Sequence, residues 1–390
     1  VKARLWACNG GLMCVAIAVN LPPLFLTTFR ETFGGTLGLT VEQVGRIPAV
    51  VFAGLTLGII VSGPLVDRWG AKLFAVLGLA MTSAGLVFMG LSGSYGVLLA
   101  SAGMMGFGAG VLDMVLSPIV AALEPHRRTA AMNWLHSFYC TGAVLTTLVG
   151  SVALRLHVPW RAVFPSAAVF PVVILAVFVR MRVPPLIADG HRRLPVTRLL
   201  RSGFFLAALV GIFLGGAAEA AMTQWLPAYA ETSLGVTRSS AGLSLTGFLV
   251  GMVIGRIVAA MLAERIGPIR LMTASCVLTA SLFAVACFCP HASAALAACM
   301  AVGLTVGSLW PTMVGVTATR FPTGGAAMFA LLAAFGNAGC FVMPWVVGIV
   351  AGASALNVGL ATAGVCPVLM IAALVWMHRR GGPSDETAAA

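Results

Sequence analysis

Gly63-Pro64-Leu65-Val66-Asp67-Arg68-Trp69-Gly70-Ala71-Lys72 is a short charged turn set between two long apolar runs. Its skeleton is Gly-x-Leu-x-Asp-Arg-x-Gly-x-Lys, and a weaker copy returns in the second half of the chain. Ala53-Gly54-x-x-x-Gly58 followed by Asp67-Arg68-x-Gly70 is answered by Val250-Gly251-x-x-x-Gly255 followed by Glu264-Arg265-x-Gly267. The same offset pairs Gly106 with Gly303, Phe138 with Phe335 and Gly142 with Gly339. A repeat at this distance predicts two similar halves.

The runs around the turn are of membrane length. The chain is 60% hydrophobic and only 9% charged, where a soluble domain carries roughly 25% charge. Apolar blocks of about twenty residues suffice to cross a bilayer as helix. Because they are continuous rather than alternating, they predict helices and not barrel strands. The expected fold is an all-α polytopic membrane protein of twelve transmembrane helices in two pseudo-symmetric six-helix bundles. The helices are expected at about 5–29, 44–66, 71–92, 95–123, 130–153, 161–179, 204–229, 241–263, 270–290, 293–318, 327–350 and 355–377. An N-terminal bundle, 1–179, is joined to a C-terminal bundle, 204–378, by the polar segment 180–203 with Pro184, Pro185 and Pro195. The tail, 379–390, has the composition of a disordered segment. The first run lacks a small-residue cleavage site and reads as a retained helix. Val1 stands where an initiator Met is usual, so a few preceding residues are expected.

A net charge of +12 would suit a nucleic-acid partner if it formed one patch, but it is split by side. Arg30, Arg46, Arg155, Arg161 and Arg238 fall on one side of the expected spans and Arg256 lies within one. The remaining Lys and Arg share the side of both termini. The positive-inside rule then puts both termini in the cytoplasm of a bacterial-type inner membrane. The excess reads as topology and affinity for anionic lipid, with no nucleic acid. Nine cysteines without a C-x-x-C pair read as buried thiols, with no metal site. The chain has no G-x-x-x-x-G-K-[ST] nucleotide loop, and no triad or zinc spacing suggests an enzyme.

Polar groups at membrane depth are functional candidates because a charge there costs about 2.5–3.5 kcal/mol on insertion scales. Asp113 and Glu219 are the carboxylates inside expected spans, and either can bind and release a proton. Asn20, Asn133, His136, Tyr139, Gln224, Trp225, Trp310 and Asn337 form the candidate substrate-binding set. Amides suit the hydroxyls of a sugar ring, and an aromatic face suits its C–H face. Singly these signals are weak, since an intramembrane Asn is about as often glue between helices. Trp6, Trp160 and Trp376 read as interfacial anchors. A carboxylate at one helix end can accept bonds from the N-terminus of another helix and pair with an arginine. Gly63, Asp67, Arg68, Gly70, Lys72, Arg256, Glu264 and Arg265 are grouped on this basis, the plainer reading being topology-fixing charge. Their role as a cytoplasmic gate is what the resemblance given below implies. For Arg256, pairing with a carboxylate and packing on the Glu264 loop are both open.

Twelve helices in two halves, a basic middle loop and the Gly-x-Leu-x-Asp-Arg-x-Gly-x-Lys turn resemble the major facilitator superfamily. The resemblance implies that superfamily's fold and alternating access around a central site. It also implies a turn that latches the cytoplasmic side in the outward-facing state. Asn133-Trp134-Leu135-His136-Ser137-Phe138-x-x-x-Gly142-Ala143 resembles the fifth helix of the fucose–galactose–glucose:H+ symporter family. Gly216-x-x-Glu219-x-x-x-x-x-Trp225-Leu226-Pro227-x-Tyr229 and Gly251-x-x-x-Gly255-Arg256 resemble its seventh and eighth. In that family an acid in helix four takes part in proton coupling, and Asp113 occupies a compatible place. Fucose-transporting members also carry an aspartate in the first helix. Ala18-Val19-Asn20-Leu21-Pro22 has none, which leaves Glu219 as an alternative coupling group.

The expectation is a secondary transporter moving a small polar solute, a sugar, by symport with a proton or sodium, without cofactor and as a monomer. Efflux of drugs or metabolites is the first alternative; by resemblance it goes with a glycine–proline motif in helix five, where this chain has Gly142-Ala143. Lipid-like or organic-anion cargo is another. A non-transporting scaffold would need no acids at depth.

Overall fold

A computed structural model of the chain describes residues 2–33, 38–39, 41–186 and 193–379. Residues 187–192 of the expected linker and the tail from 380 onward lie outside the described residues. Among the described residues all regular structure is helical. Twelve helical spans are long and apolar enough to cross a membrane: Lys2–Phe25, Arg46–Trp69, Ala71–Leu91, Tyr95–Leu123, Arg128–Arg155, Trp160–Arg180, Gly203–Thr232, Leu243–Ile266, Pro268–Phe288, Ala292–Arg320, Gly325–Ala353 and Leu356–Arg379. They are called the first to twelfth spans below. The expected all-α, twelve-span class is the one observed, with ends shifted by a few residues. Large apolar side chains such as Leu91, Leu243 and Phe341 are exposed, as a lipid solvent allows.

Among the described residues four spans are interrupted: the first at Leu21, directly before Pro22, and three others three to four residues before a proline. A proline has no N–H for the carbonyl four residues back, and its ring crowds that carbonyl. The sixth span breaks after Ala167, ahead of Pro171, and the tenth at Gly307–Ser308, ahead of Pro311. The twelfth breaks at Gly364, after Ala363 and ahead of Pro367. Each interruption releases a carbonyl oxygen, and the one at Gly307 is used below.

The two copies of the repeated frame build the same turn. Gly70 and Gly267 sit at φ 89° and 87°, a region that glycine alone enters without a Cβ clash. Each closes the preceding span through its N–H, Gly70 to the Val66 carbonyl at 2.8 Å and Gly267 to that of Ala263 at 3.1 Å. The next span starts at once, at Ala71 and at Pro268, proline being pre-set for a first helical position.

The glycines at spacing four put backbone against backbone. A Cβ on Gly54 or Gly58 would fall on the carbonyls of Gly103 or Phe107, and one on Gly106 or Gly110 on those of Val51 or Leu55. This is the seam between the second and fourth spans. The eighth and tenth spans repeat it, with Gly255 against the Leu304 carbonyl and Gly303 against that of Phe248. Gly110→Ala is therefore expected to destabilise the protein by about 1–3 kcal/mol. Gly96→Ala, in the same span with open space around it, should be neutral or mildly stabilising. Thermal unfolding of the two purified variants compares them directly.

By packing, the chain forms two compact units. One comprises Val1–Leu123, Phe138–Asp189 and Gly325–Ala330; the other comprises Glu124–Ser137, Gly190–Gly324 and Leu331–Ala390. The start of the fifth span thus packs within the second unit, and the start of the eleventh within the first.

Candidate functional site

The polar centre of the second unit is Arg256, on the eighth span. Its side chain is 4% exposed, and Nη2 lies 3.1 Å from Glu219 Oε2 and 3.3 Å from Oε1. Nε donates to the Gly307 carbonyl at 2.8 Å and Nη1 to the His136 carbonyl at 2.7 Å. A guanidinium cannot shed its charge and carries five N–H donors in a planar fork. Enclosed in a membrane bundle it requires both a counter-ion and carbonyl acceptors. The seventh span supplies the counter-ion. The break at Pro311 supplies the Gly307 oxygen, which has no helical N–H to accept from. The result is a charge-neutral pair whose carboxylate side is 18% exposed.

Beside it, the fifth span presents Asn133 and His136 at i, i+3, hence on one helical face. Asn133 Nδ2 donates to the Thr129 carbonyl at 3.0 Å and to Thr312 Oγ1 at 2.9 Å. Among the described residues Asn133 Oδ1 and His136 Nε2 have no partner, although the two residues are 0% and 7% exposed. A buried polar atom left unpaired costs about 1–3 kcal/mol, so two within one turn mark a place where a polar ligand would be stabilised. The Trp310 ring lies against Gly216 and Gly336, positions where a Cβ would strike the indole. The structure therefore brings Asn133, His136, Glu219, Arg256 and Trp310 into one unit. It adds Thr129, Thr312 and the Gly307 carbonyl, which sequence reading passed over. For Gly307 a signal existed: Pro311 stands four residues after it.

Of the other candidates, those in the second unit have their donors engaged or are exposed. Trp225 Nε1 donates to the Pro344 carbonyl at 3.0 Å, and Gln224 is exposed. Asn337 Nδ2 donates to the Ala333 carbonyl at 2.9 Å, and Asn20 Nδ2 to that of Ala16 at 2.8 Å, each one turn back in its own helix. Asn20, Asp113 and Tyr139 are half-buried in the first unit.

The opening turn has its own chemistry, inside the first unit. Asp67 Oδ1 accepts the Ala326 N–H at 2.7 Å, and Oδ2 accepts the Ala327 N–H at 3.1 Å. Those are the second and third residues of the eleventh span, where a capping side chain normally binds. That helix begins after Gly324 and has no side-chain cap of its own, so Asp67 supplies one from 259 positions away. Gly63 packs against the Ala330 methyl, and Arg68, Gly70, Lys72, Glu264 and Arg265 are exposed. Arg256, grouped with these residues on sequence, lies in the Glu219 cluster.

The sequence profile of the Major Facilitator Superfamily matches residues 9–237 and 230–390. The cis,cis-muconate transport protein of Acinetobacter baylyi is 25% identical over 275 residues, 65% of this chain and 65% of that protein, just under two thirds of its length. The E. coli fucose:proton symporter FucP shares the fold with TM-scores of 0.83, in its outward conformation, and 0.81 in a second structure. Identity is 19% and 18%, over 96% of this chain and 98% of FucP. The proton:xylose symporter XylE gives a TM-score of 0.79 at 16% identity, over 97% of this chain and 95% of XylE. By sequence and by fold this chain belongs to the Major Facilitator Superfamily and is a membrane transporter of small-molecule solutes, not an enzyme.

Proposed function

We propose that this transporter carries a neutral, hydroxyl-bearing solute, a sugar, together with a proton. The observation that carries the reading is the neutral Glu219–Arg256 pair flanked by Asn133 Oδ1 and His136 Nε2, without partners among the described residues. An anionic solute would need an uncommitted positive charge, and the Arg256 charge is already balanced by Glu219. A neutral solute needs hydrogen-bonding atoms and a flat apolar face, which Asn133, His136 and Trp310 offer. The fold likeness to the fucose:proton and proton:xylose symporters supports the same class.

Coupling then follows from the cost of occluding charge. Glu219 with a proton presents an O–H donor to the solute, and Arg256 keeps its two backbone carbonyls. A protonated acid is cheaper to enclose than an ionised one, which at Asp113 favours closure with both cargoes loaded. At Glu219, which balances Arg256, a proton instead releases the guanidinium to bind the oxygens of the solute. Asp113 is the second proton-carrying candidate. In this reading both termini face the cytoplasm, by the Lys and Arg distribution, and Asp67 latches that side by capping the eleventh span. A monomer suffices.

Counterflow of radiolabelled hexoses and pentoses into proteoliposomes tests the substrate class without any ion gradient. Saturable exchange of one sugar is expected, with the apparent affinity reduced about tenfold or more by Asn133→Ala, as for loss of one or two buried hydrogen bonds. Asp113→Asn or Glu219→Gln is expected to keep exchange and lose accumulation driven by a pH gradient, with no response to sodium. Silence across the sugar panel from folded protein would overturn the sugar reading. Accumulation surviving in both acid variants would overturn the coupling scheme.

A further inference from the structure

A second polar site stands at the end of the second unit that carries the Gly267 turn. A cavity of about 720 Å³ opens there, bounded by the start of the fifth span, the turn between the eighth and ninth, and the ends of the tenth and twelfth. Its volume is in the roughly 300–1,000 Å³ range of small-molecule sites. Four guanidiniums line it, those of Arg128, Arg265, Arg270 and Arg320, against one carboxylate, Glu264. His126 and His378 stand at its edge.

The four arginines are held differently. Arg128 is anchored, Nη1 donating to the Ala318 carbonyl at 2.6 Å, in the last turn of the tenth span. The Arg320 guanidinium rests over the Phe204 ring at 5.4 Å. Arg265 and Arg270 flank the Gly267-Pro268 turn and are exposed. Neither their side chains nor that of Glu264 makes a hydrogen bond or ion pair among the described residues. Like charges converging on a concavity raise its potential and concentrate anions. Guanidinium forks match phosphate oxygens two at a time. Phe204, Val316 and Ile269 give the cavity an apolar wall for an attached organic group.

We propose that this cavity is a binding site for a phosphate-bearing anion, distinct from the solute site and independent of which solute is carried. Arg265 and Arg270 make the direct contacts, Arg128 and Arg320 complete the charge, and Glu264 limits affinity. Arg128 belongs to the fifth span and Arg265 to the eighth, so the bound anion ties these two together at their ends. The phosphate is that of a soluble ester or of a phospholipid headgroup, since both present the same oxygens.

The full chain, purified in detergent without added lipid, is titrated with inorganic phosphate by calorimetry. In parallel, its unfolding temperature is compared in phosphatidylcholine nanodiscs with and without phosphatidylglycerol. Saturable phosphate binding in micelles identifies a soluble source; stabilisation by phosphatidylglycerol alone identifies the headgroup. In either arm R265Q/R270Q is expected to weaken the response about tenfold or more. Glu264→Gln is expected to strengthen it several-fold, a change of opposite sign that misfolding would not produce. The proposal is overturned if neither probe acts, if chloride at equal ionic strength acts as well, or if the double variant responds like the native chain.

Discussion

Arg256→Leu is expected to lower the stability of the purified protein by about 3–5 kcal/mol, the cost of leaving one partner of a buried ion pair behind. Transport should be lost with it. Glu219 would remain in the bundle as an uncompensated carboxylate, with the Gly307 and His136 carbonyls losing their donor as well. The 18% exposure of the Glu219 side favours the lower end of that range. Glu219→Gln should be milder, because Arg256 keeps both carbonyls and gains an amide oxygen in place of the carboxylate. The double variant, Arg256→Leu with Glu219→Gln, should recover much of the stability but none of the proton-driven accumulation. Thermal unfolding and counterflow on the same three preparations test this ordering. Equal melting of Arg256→Leu and the native chain would mean that the pair contributes nothing to the fold. A double variant less stable than Arg256→Leu would mean that the two side chains do not act on each other.

Asp67→Ala is expected to cost about 1–2 kcal/mol, since it exposes two first-turn N–H groups that no side chain of the eleventh span can satisfy. As 1.4 kcal/mol is a factor of ten in an equilibrium, the proposed latched state should lose about tenfold in population. Asp67→Asn keeps one oxygen acceptor without the charge and should fall between. Hydrogen exchange at the Ala326 and Ala327 amides reads the cap directly, and the rate of sugar counterflow reads its consequence. Protection unchanged in Asp67→Ala would remove the cap, and with it the physical basis of the latch.

The fold was legible because its signals are long. Twelve apolar runs, the repeated turn and the spacing-four glycines are each carried by many residues, and lipid tolerates few other solutions. Gly70 and Gly267 show the same at one position: the skeleton requires a residue free to take positive φ, and both copies do. The site was legible only as a set of letters. Asn20, Asn133 and Asn337 look alike in sequence and all three donate one turn back in their own helices, yet Asn133 also reaches across to Thr312. Arg256 could be read toward either a carboxylate or a loop because its partner is 37 positions away, a distance that only the packing of two helices resolves. The Asp67 cap is of the kind the sequence suggested, a carboxylate on the N-terminus of another helix, but which helix it caps, 259 positions away, no residue letter announces.

The glycine seams bear on how the bundle can deform. Where a helix backbone lies directly on a neighbour's carbonyls, as in the second and fourth spans and in the eighth and tenth, sliding by even a methyl's width meets a hard wall. Such pairs behave as stiff plates. Compliance is left to the places where the ladder of backbone bonds is already missing a rung: near Leu21, Ala167, Gly307 and Ala363. Of these, the joint at Gly307 is the one grasped by Arg256, so a change at the Glu219–Arg256 pair acts directly on the joint of the tenth span.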